Sequence, residues 1–325
     1  MEEAIAIGNK IQVPDEHKNA DRIIISGLGG SAIGGDLLRS VLHYECKIPI
    51  FVNRNYFLPQ FADKNTLVII SSYSGGTEES LSAYEDAVKK GCKIVCISSG
   101  GHLSLLAKNN GKVLIKVPGG LQPRCALGYS FFPMLILMNK LGLIEDKTEQ
   151  IFKIVNIVNS RAIAYSDLDE KNNQALSIAL HLKGKIPVIY SSNDLLDTVN
   201  LRWRCQINEN AKCMAFGNLL SEMNHNEITG WQNNPDILNN FAVISLVDKE
   251  DNPRLLKRMK ITLEIIKGLS ALEIEVNGEG DTKLERIFDL IYLGDWVSFY
   301  LAILYKVDPT LIEKINILKN RLTEI

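Results

Sequence analysis

Residues 66–80, TLVIISSYSGGTEES, set an uncharged apolar run directly against a cluster of small hydroxyls and glycines. Thr66 to Ser71 is short and rich in β-branched side chains, the pattern of a strand buried on both faces of a parallel sheet. From Glu78 to Lys90 the apolar side chains recur at Leu81, Tyr84, Ala87 and Val88, which is helical spacing. The turn between them, with five small hydroxyls and two glycines from Ser71 to Ser80, therefore lies at a strand's carboxyl end and opens a helix. Unpaired backbone N–H groups and the helix dipole favour an anion there. Ser72, Ser74 and Thr77 add neutral donors, while Gly75 and Gly76 let the backbone approach closely. No lysine follows the glycines, so this is not the nucleotide P-loop, and a monophosphate ester fits better than a triphosphate. A helix N-cap with a Ser/Gly loop would give the same letters, and this turn alone leaves that alternative open.

A second glycine-rich turn lies upstream. Arg22 to Gly35, RIIISGLGGSAIGG, again reads as a strand, then Gly29, Gly30 and Ser31, then a helix through Asp36 to Leu42. It matches the dinucleotide fingerprint poorly, because the third glycine position is Ala32 and no ribose-binding acid stands after the strand at 48–53. Two such turns on neighbouring strands suggest one ligand held from two sides.

Outward from these turns the first half alternates strands near 22–27, 48–53, 66–71, 92–98 and 112–117 with helices near 31–42, 77–90 and 102–109. That order predicts a doubly wound α/β domain on a mostly parallel sheet, three layers deep. A helix from Ala126 to Lys140 closes it, and the polar segment Glu145 to Glu149 reads as a linker between domains at 1–145 and 146–325. Helices at 148–165 and 170–183 then lead into a second set: a strand at 186–192, a helix reaching Asn208, a strand at 241–248, a helix from Pro253 to Gly268 and a strand at 271–276. LVIISSYSGGTEES corresponds to AVISLVDKEDNPRL and CKIVCISSGG to ALEIEVNGEG, a degenerate internal duplication. The second copy carries Asp248, Glu250 and Asp251 in place of the cradle, and these acids would repel a phosphate. Two apolar helices, from Lys283 to Tyr305 and from Pro309 onward, end the chain and are expected to bury their faces within the domains or between subunits.

A length of 325 residues suits two cores, and 46% hydrophobic with 23% charged residues describes a globular chain. With 36 basic against 38 acidic residues, nothing calls for nucleic acid or a membrane surface as partner. The start, MEEAIAIGNKIQ, is acidic and lacks the apolar centre of a signal peptide, and no uncharged apolar run approaches about 18 residues, so a cytoplasmic location is expected. Six scattered cysteines form no CxxC pair and are expected as reduced thiols. Five histidines show no HxxxH spacing, so neither a metal nor another cofactor is expected.

The segment between the half-chains is dense in polar groups. Glu209 falls at the carboxyl end of a helix, where the dipole disfavours a negative charge and suits a carboxylate to general-base work; a solvated helix-end acid is the alternative. His225 stands between two asparagines and close to Glu227, surroundings unlike those of a core histidine. Arg124 follows Pro123 at the mouth of the first domain and reads either as a fixed charge near the ligand or as a surface arginine. Lys319, taken alone, is a solvated helix lysine.

Together GLGGSAIGG (27–35), SYSGGTEES (72–80), PRCALG (123–128), NENAK (208–212), NHNE (224–227) and the closing DP, LK and L of 308–322 resemble the bifunctional phosphoglucose/phosphomannose isomerases, built from two sugar isomerase (SIS) domains. The resemblance spans nearly the whole chain. It implies that Gly30, Ser31, Ser72, Ser74 and Thr77 hold the sugar phosphate, that Glu209 moves a proton between C1 and C2, and that Arg124 holds that base and stabilises the enediolate. It further implies ring opening by His225, supplied across a homodimer interface, and by Lys319, with Thr310 a candidate for accepting both epimers. The implied reaction converts glucose 6-phosphate, and mannose 6-phosphate, to fructose 6-phosphate through a cis-enediol, a step of glycolysis and gluconeogenesis, with no metal or cofactor. Two rivals stay open: an amino-sugar-phosphate isomerase or deaminase, against which stands the lack of an upstream glutaminase segment, and a SIS sensor that binds without turnover.

Overall fold

The computed structural model separates the chain into two compact units, Met1–Val155 and Asn156–Ile325, and describes residues 1–322.

In the first unit, helix α1 (Glu2–Asn9) and a 3-10 turn (Asp15–Asn19) precede β1 (Arg22–Ser26), α2 (Gly29–Leu42), β2 (Ile50–Asn53), β3 (Thr66–Ser71), α3 (Glu78–Lys89), β4 (Lys93–Ser98), α4 (Gly101–Asn109) and β5 (Val113–Lys116). A 3-10 turn (Pro123–Cys125) and α5 (Leu127–Lys140) follow. The five strands are parallel in the order β2-β1-β3-β4-β5. Ile23, Ile24 and Ile25 of β1, Leu67 to Ile70 of β3 and Val95 and Cys96 of β4 are wholly buried, because helices cover both faces of the sheet and alternation has no solvent face to serve. The strand order reverses between β1 and β3, and ligands of such sheets bind outside the carboxyl ends at that switch point. Both glycine-rich turns leave the sheet there.

Helix α6 (Thr148–Tyr165) contains the division between the units. The second unit continues with α7 (Gln174–Leu182), β6 (Ile186–Ser192), α8 (Asp197–Ala211), β7 (Phe216–Leu220), 3-10 turns at Glu222–His225 and Glu227–Gly230, α9 (Pro235–Leu238), β8 (Phe241–Val247), α10 (Pro253–Ile266), β9 (Leu272–Asn277), α11 (Lys283–Leu304) and α12 (Glu313–Leu322). Its parallel sheet runs β7-β6-β8-β9, the same second-first-third-fourth order as the first unit.

The sequence reading placed no strand at β7 and no helix at α1. FGNLL is a half-exposed edge strand carrying Gly217 and Asn218, so it lacks the apolar run that marks β3 or β8. α12 begins at Glu313 rather than Pro309, because Asp308 accepts from the backbone N–H (2.7 Å) and hydroxyl (2.5 Å) of Thr310 and turns the chain first. α11 has the length and hydropathy of a membrane span, yet 67% of its apolar window is buried in the unit. It is the core helix of that unit. Gly294 lets the indole of Trp203 lie against it, and the indole N–H donates to the Leu290 carbonyl (2.8 Å). That contact seats α8, the helix that carries Glu209.

Candidate active site

The cradle is held together by its own side chains. Ser72 Oγ donates to Thr77 Oγ1 (3.0 Å) and accepts from the Gly75 N–H (3.2 Å), while Ser74 Oγ accepts from the Gly76 N–H (3.3 Å). Gly75 has φ +70°, and a side chain there would collide with the Gly100 carbonyl. Gly101, at φ +65°, presses back in the same way on the Ser74 carbonyl, so the loops after β3 and β4 interlock through backbone alone. No side chain caps α3, which leaves its first N–H groups directed at whatever the cradle holds.

Buried Ser31 joins the two glycine-rich turns, its Oγ accepting from the Tyr73 N–H (3.0 Å). Gly30 meets the third wall: a side chain on it would stand 2.5 Å from the Pro123 carbonyl and 2.9 Å from the Arg124 nitrogen. Arg124 is buried at 4% exposure and belongs to this wall, which corrects the surface-arginine reading. A buried guanidinium is retained where it has work to do against an anion or carboxylate. Sequence reasoning passed over Tyr73, whose hydroxyl accepts from the Leu121 N–H (3.1 Å) and ties the cradle to the loop before Arg124. It also passed over Gly100 and Gly101, although a glycine pair after a strand was a signal already used twice.

In the second unit Glu209 is half-buried two residues before the end of α8. Lys212 closes that helix in the left-handed conformation (φ 56°), and its ammonium donates to the Glu209 carbonyl (2.6 Å). Asn208 Oδ1 accepts from the Ala215 N–H (3.0 Å) and fixes the exit from the helix. Glu209 lines a cavity of about 520 Å³ whose other wall is the chain from Val307 to Ile315. Lys319, one turn beyond Ile315, is exposed and is not among the wall residues; Thr310 is exposed in the turn before α12.

His225 is exposed at the end of a 3-10 turn. What fixes its loop is Glu227, which accepts from the Tyr190 hydroxyl (2.6 Å) and the Asn218 amide (2.6 Å), with the Trp231 N–H donating to the same Tyr190 oxygen (3.0 Å). Burial and the Glu227 partnership hold the Tyr190 phenol far above its ordinary pKa, so it stays a donor. Asp248, in the loop that replaces the cradle, is fully buried, and Arg286 of α11 grips it with two hydrogen bonds (2.7 and 3.0 Å) and also pairs with Glu250 (2.9 Å). Two of the three acids of this loop, Asp248 and Glu250, are therefore neutralised from within. Among the described residues no group of three or more His, Cys, Asp or Glu is arranged to hold a metal ion.

Residues 171–322 match the model of the bacterial phospho-glucose isomerase C-terminal SIS domain. The chain is 47% identical to a bifunctional phosphoglucose/phosphomannose isomerase of Caldicellulosiruptor bescii, over 100% of this chain and 96% of that protein. A protein of the same name from Aquifex aeolicus is 38% identical over 92% of this chain and 90% of its own length. Among solved structures, the C-terminal domain of glucosamine-fructose-6-phosphate aminotransferase from Francisella tularensis superposes with a TM-score of 0.72 at 15% identity, covering 94% of this chain and 93% of that one, and so shares the fold.

Proposed function

The chain belongs to the bifunctional phosphoglucose/phosphomannose isomerase family, and from that premise we propose that it interconverts glucose 6-phosphate and mannose 6-phosphate with fructose 6-phosphate. The full-length 47% identity carries this reading; the cradle at the switch point supports it.

In the proposed mechanism the phosphate rests on the N–H groups opening α3 and on Gly30, Ser31, Ser72, Ser74 and Thr77. Binding so remote from the reacting carbons supplies positioning energy. Glu209 takes the C2 proton of the aldose and returns it at C1, with both carbons presenting the same face of a cis-enediol. Negative charge building on the oxygen is met by Arg124, whose burial strengthens its effect. His225 and Lys319 act in ring opening, His225 from the neighbouring subunit of a homodimer. The epimers differ only in the face of the planar enediol that is protonated, so rotation about C2–C3 lets one base serve both aldoses, with Thr310 assisting. We place this activity in the cytoplasm, within glycolysis and gluconeogenesis.

A coupled assay of fructose 6-phosphate formation from each aldose, with a chelator present, tests the proposal. Formation from both is expected, and formation from neither sinks it. The deaminase and sensor readings predict ammonia release from glucosamine 6-phosphate, or saturable binding without turnover. The two full-length relatives reported above carry neither of these names.

A further inference from the structure

The first unit has a second cavity, at the end of its sheet opposite the cradle. It encloses about 490 Å³ beside the amino ends of β3, β4 and β5 and is closed on one side by the 3-10 turn that carries His17. That volume falls within the range of small-ligand sites. Its wall brings together Lys64, Lys93 and Lys112, the residues at or just before the starts of those three strands, with Glu16 as the one carboxylate. Three ammonium groups against one carboxylate leave two positive charges in excess. The acid next to this wall, Asp63, is held within its own loop, accepting from the Asn65 N–H (2.9 Å) and the Thr66 hydroxyl (3.2 Å). Lys93 is steadied by donating to the Lys64 carbonyl (2.5 Å).

His17 supplies an independent observation. It lines the cavity and is 5% exposed, and its Nδ1 has no hydrogen-bond partner among the described residues. Its Nε2 stands 3.9 Å from Glu16 Oε1, beyond hydrogen-bond reach. A buried imidazole nitrogen left unpaired costs free energy unless a ligand meets it.

We propose that this cavity is a second anion site, binding a small phosphate ester whose dianionic group is met by Lys64, Lys93 and Lys112 and by a hydrogen bond from His17. Ammonium groups on flexible stems suit a phosphate of variable pose, and a dianion balances the excess charge of the wall. The site is separate from the cradle: β3 starts at Thr66, two residues past Lys64, and runs six residues to Ser71, which puts Ser71 roughly 20 Å from Lys64 along the chain. It does not depend on the isomerase reading.

The test uses the whole protein labelled with 15N and follows the imidazole resonances while inorganic pyrophosphate, and separately a hexose 6-phosphate, is added. His17→Gln identifies the His17 signal. A saturable shift of that signal is expected with at least one of the two, and the stronger binder shows whether the cavity prefers a bare phosphate or a sugar ester. Lys93→Gln and Lys112→Gln are each expected to weaken binding by roughly tenfold, the loss of one charge-assisted hydrogen bond, while Lys→Arg at the same positions retains it. No saturable shift with either anion, or wild-type affinity in both Gln variants, overturns the proposal.

Discussion

A methyl group at position 75 meets two obstacles, a left-handed backbone and the Gly100 carbonyl. The first alone costs about 1–2 kcal/mol, and the second shifts the cradle. Gly75→Ala is therefore expected to lower kcat/KM for glucose 6-phosphate by about 10²-fold, the scale of an ångström's misplacement, in steady-state kinetics. Glu209→Gln keeps the shape and removes the base. Proton transfer should fall by about 10²- to 10⁴-fold with hexose phosphate binding retained, read as loss of C2 deuterium exchange with solvent. His17 gives a pH prediction. Burial lowers its pKa, Glu16 pulls it back up, and Lys93 and Lys112 lower it further. The unfolded chain thus takes up the proton first, so this contribution to stability is complete above the ordinary value of 6.5 and is lost as pH falls below it. His17→Gln should flatten the decline of the calorimetric Tm between about pH 7 and pH 5. The hydroxyls and glycines of the cradle were legible in the sequence because a ligand turn needs those letters in one stretch. The unpaired His17 nitrogen and the burial of Arg124 were not, since both depend on segments brought together only by folding.

Among the elements, α12 contributes no buried residue, yet the turn before it and its first residues wall the Glu209 cavity. Ending the chain after Val307 is expected to leave Tm within about 4 °C of the intact protein, roughly 1 kcal/mol, while isomerase activity collapses. Equal losses of stability and activity would make the helix a structural element only. Arg286 of α11 and Asp248 after β8 make the opposite case, both fully buried and paired. Arg286→Met strands the carboxylate and should cost about 3–5 kcal/mol in denaturant unfolding, and adding Asp248→Leu should recover most of it. The sequence showed Asp248 as an acid hostile to phosphate. It did not show the arginine, 38 positions away, that makes the acid tolerable there. Strands such as β3 and β8 were plain from their apolar runs, whereas β7 was hidden because an edge strand owes its place to a neighbour's backbone rather than to its own side chains.

At the scale of the whole chain, two units with one strand order carry different loads at their switch points: a neutral cradle in the first and an internal ion pair in the second. Only the first should hold the substrate phosphate. Ser72→Asp, which places a carboxylate in that cradle, is expected to abolish measurable turnover of either aldose, because like charges juxtaposed cost several kcal/mol. Residual activity at the wild-type KM would point to a second substrate site. The duplication could be read from sequence because its hydrophobic runs align, and the acids of the second copy are what make the first the proposed phosphate site. The glycine interlock of the first unit sharpens that reading. In the second copy the positions of Gly75 and Gly100 are Glu250 and Glu279, each now engaged by an arginine: Arg286 on the one (2.9 Å), Arg161 on the other (2.6 Å). Divergence thus altered one side of the interlock: the first loop lost its glycine to Glu250, while Gly280 still stands at the position of Gly101. For a duplicated chain of this architecture, the glycine in the loop after the third strand, rather than the one after the fourth, becomes the marker of the copy proposed to grip a phosphate.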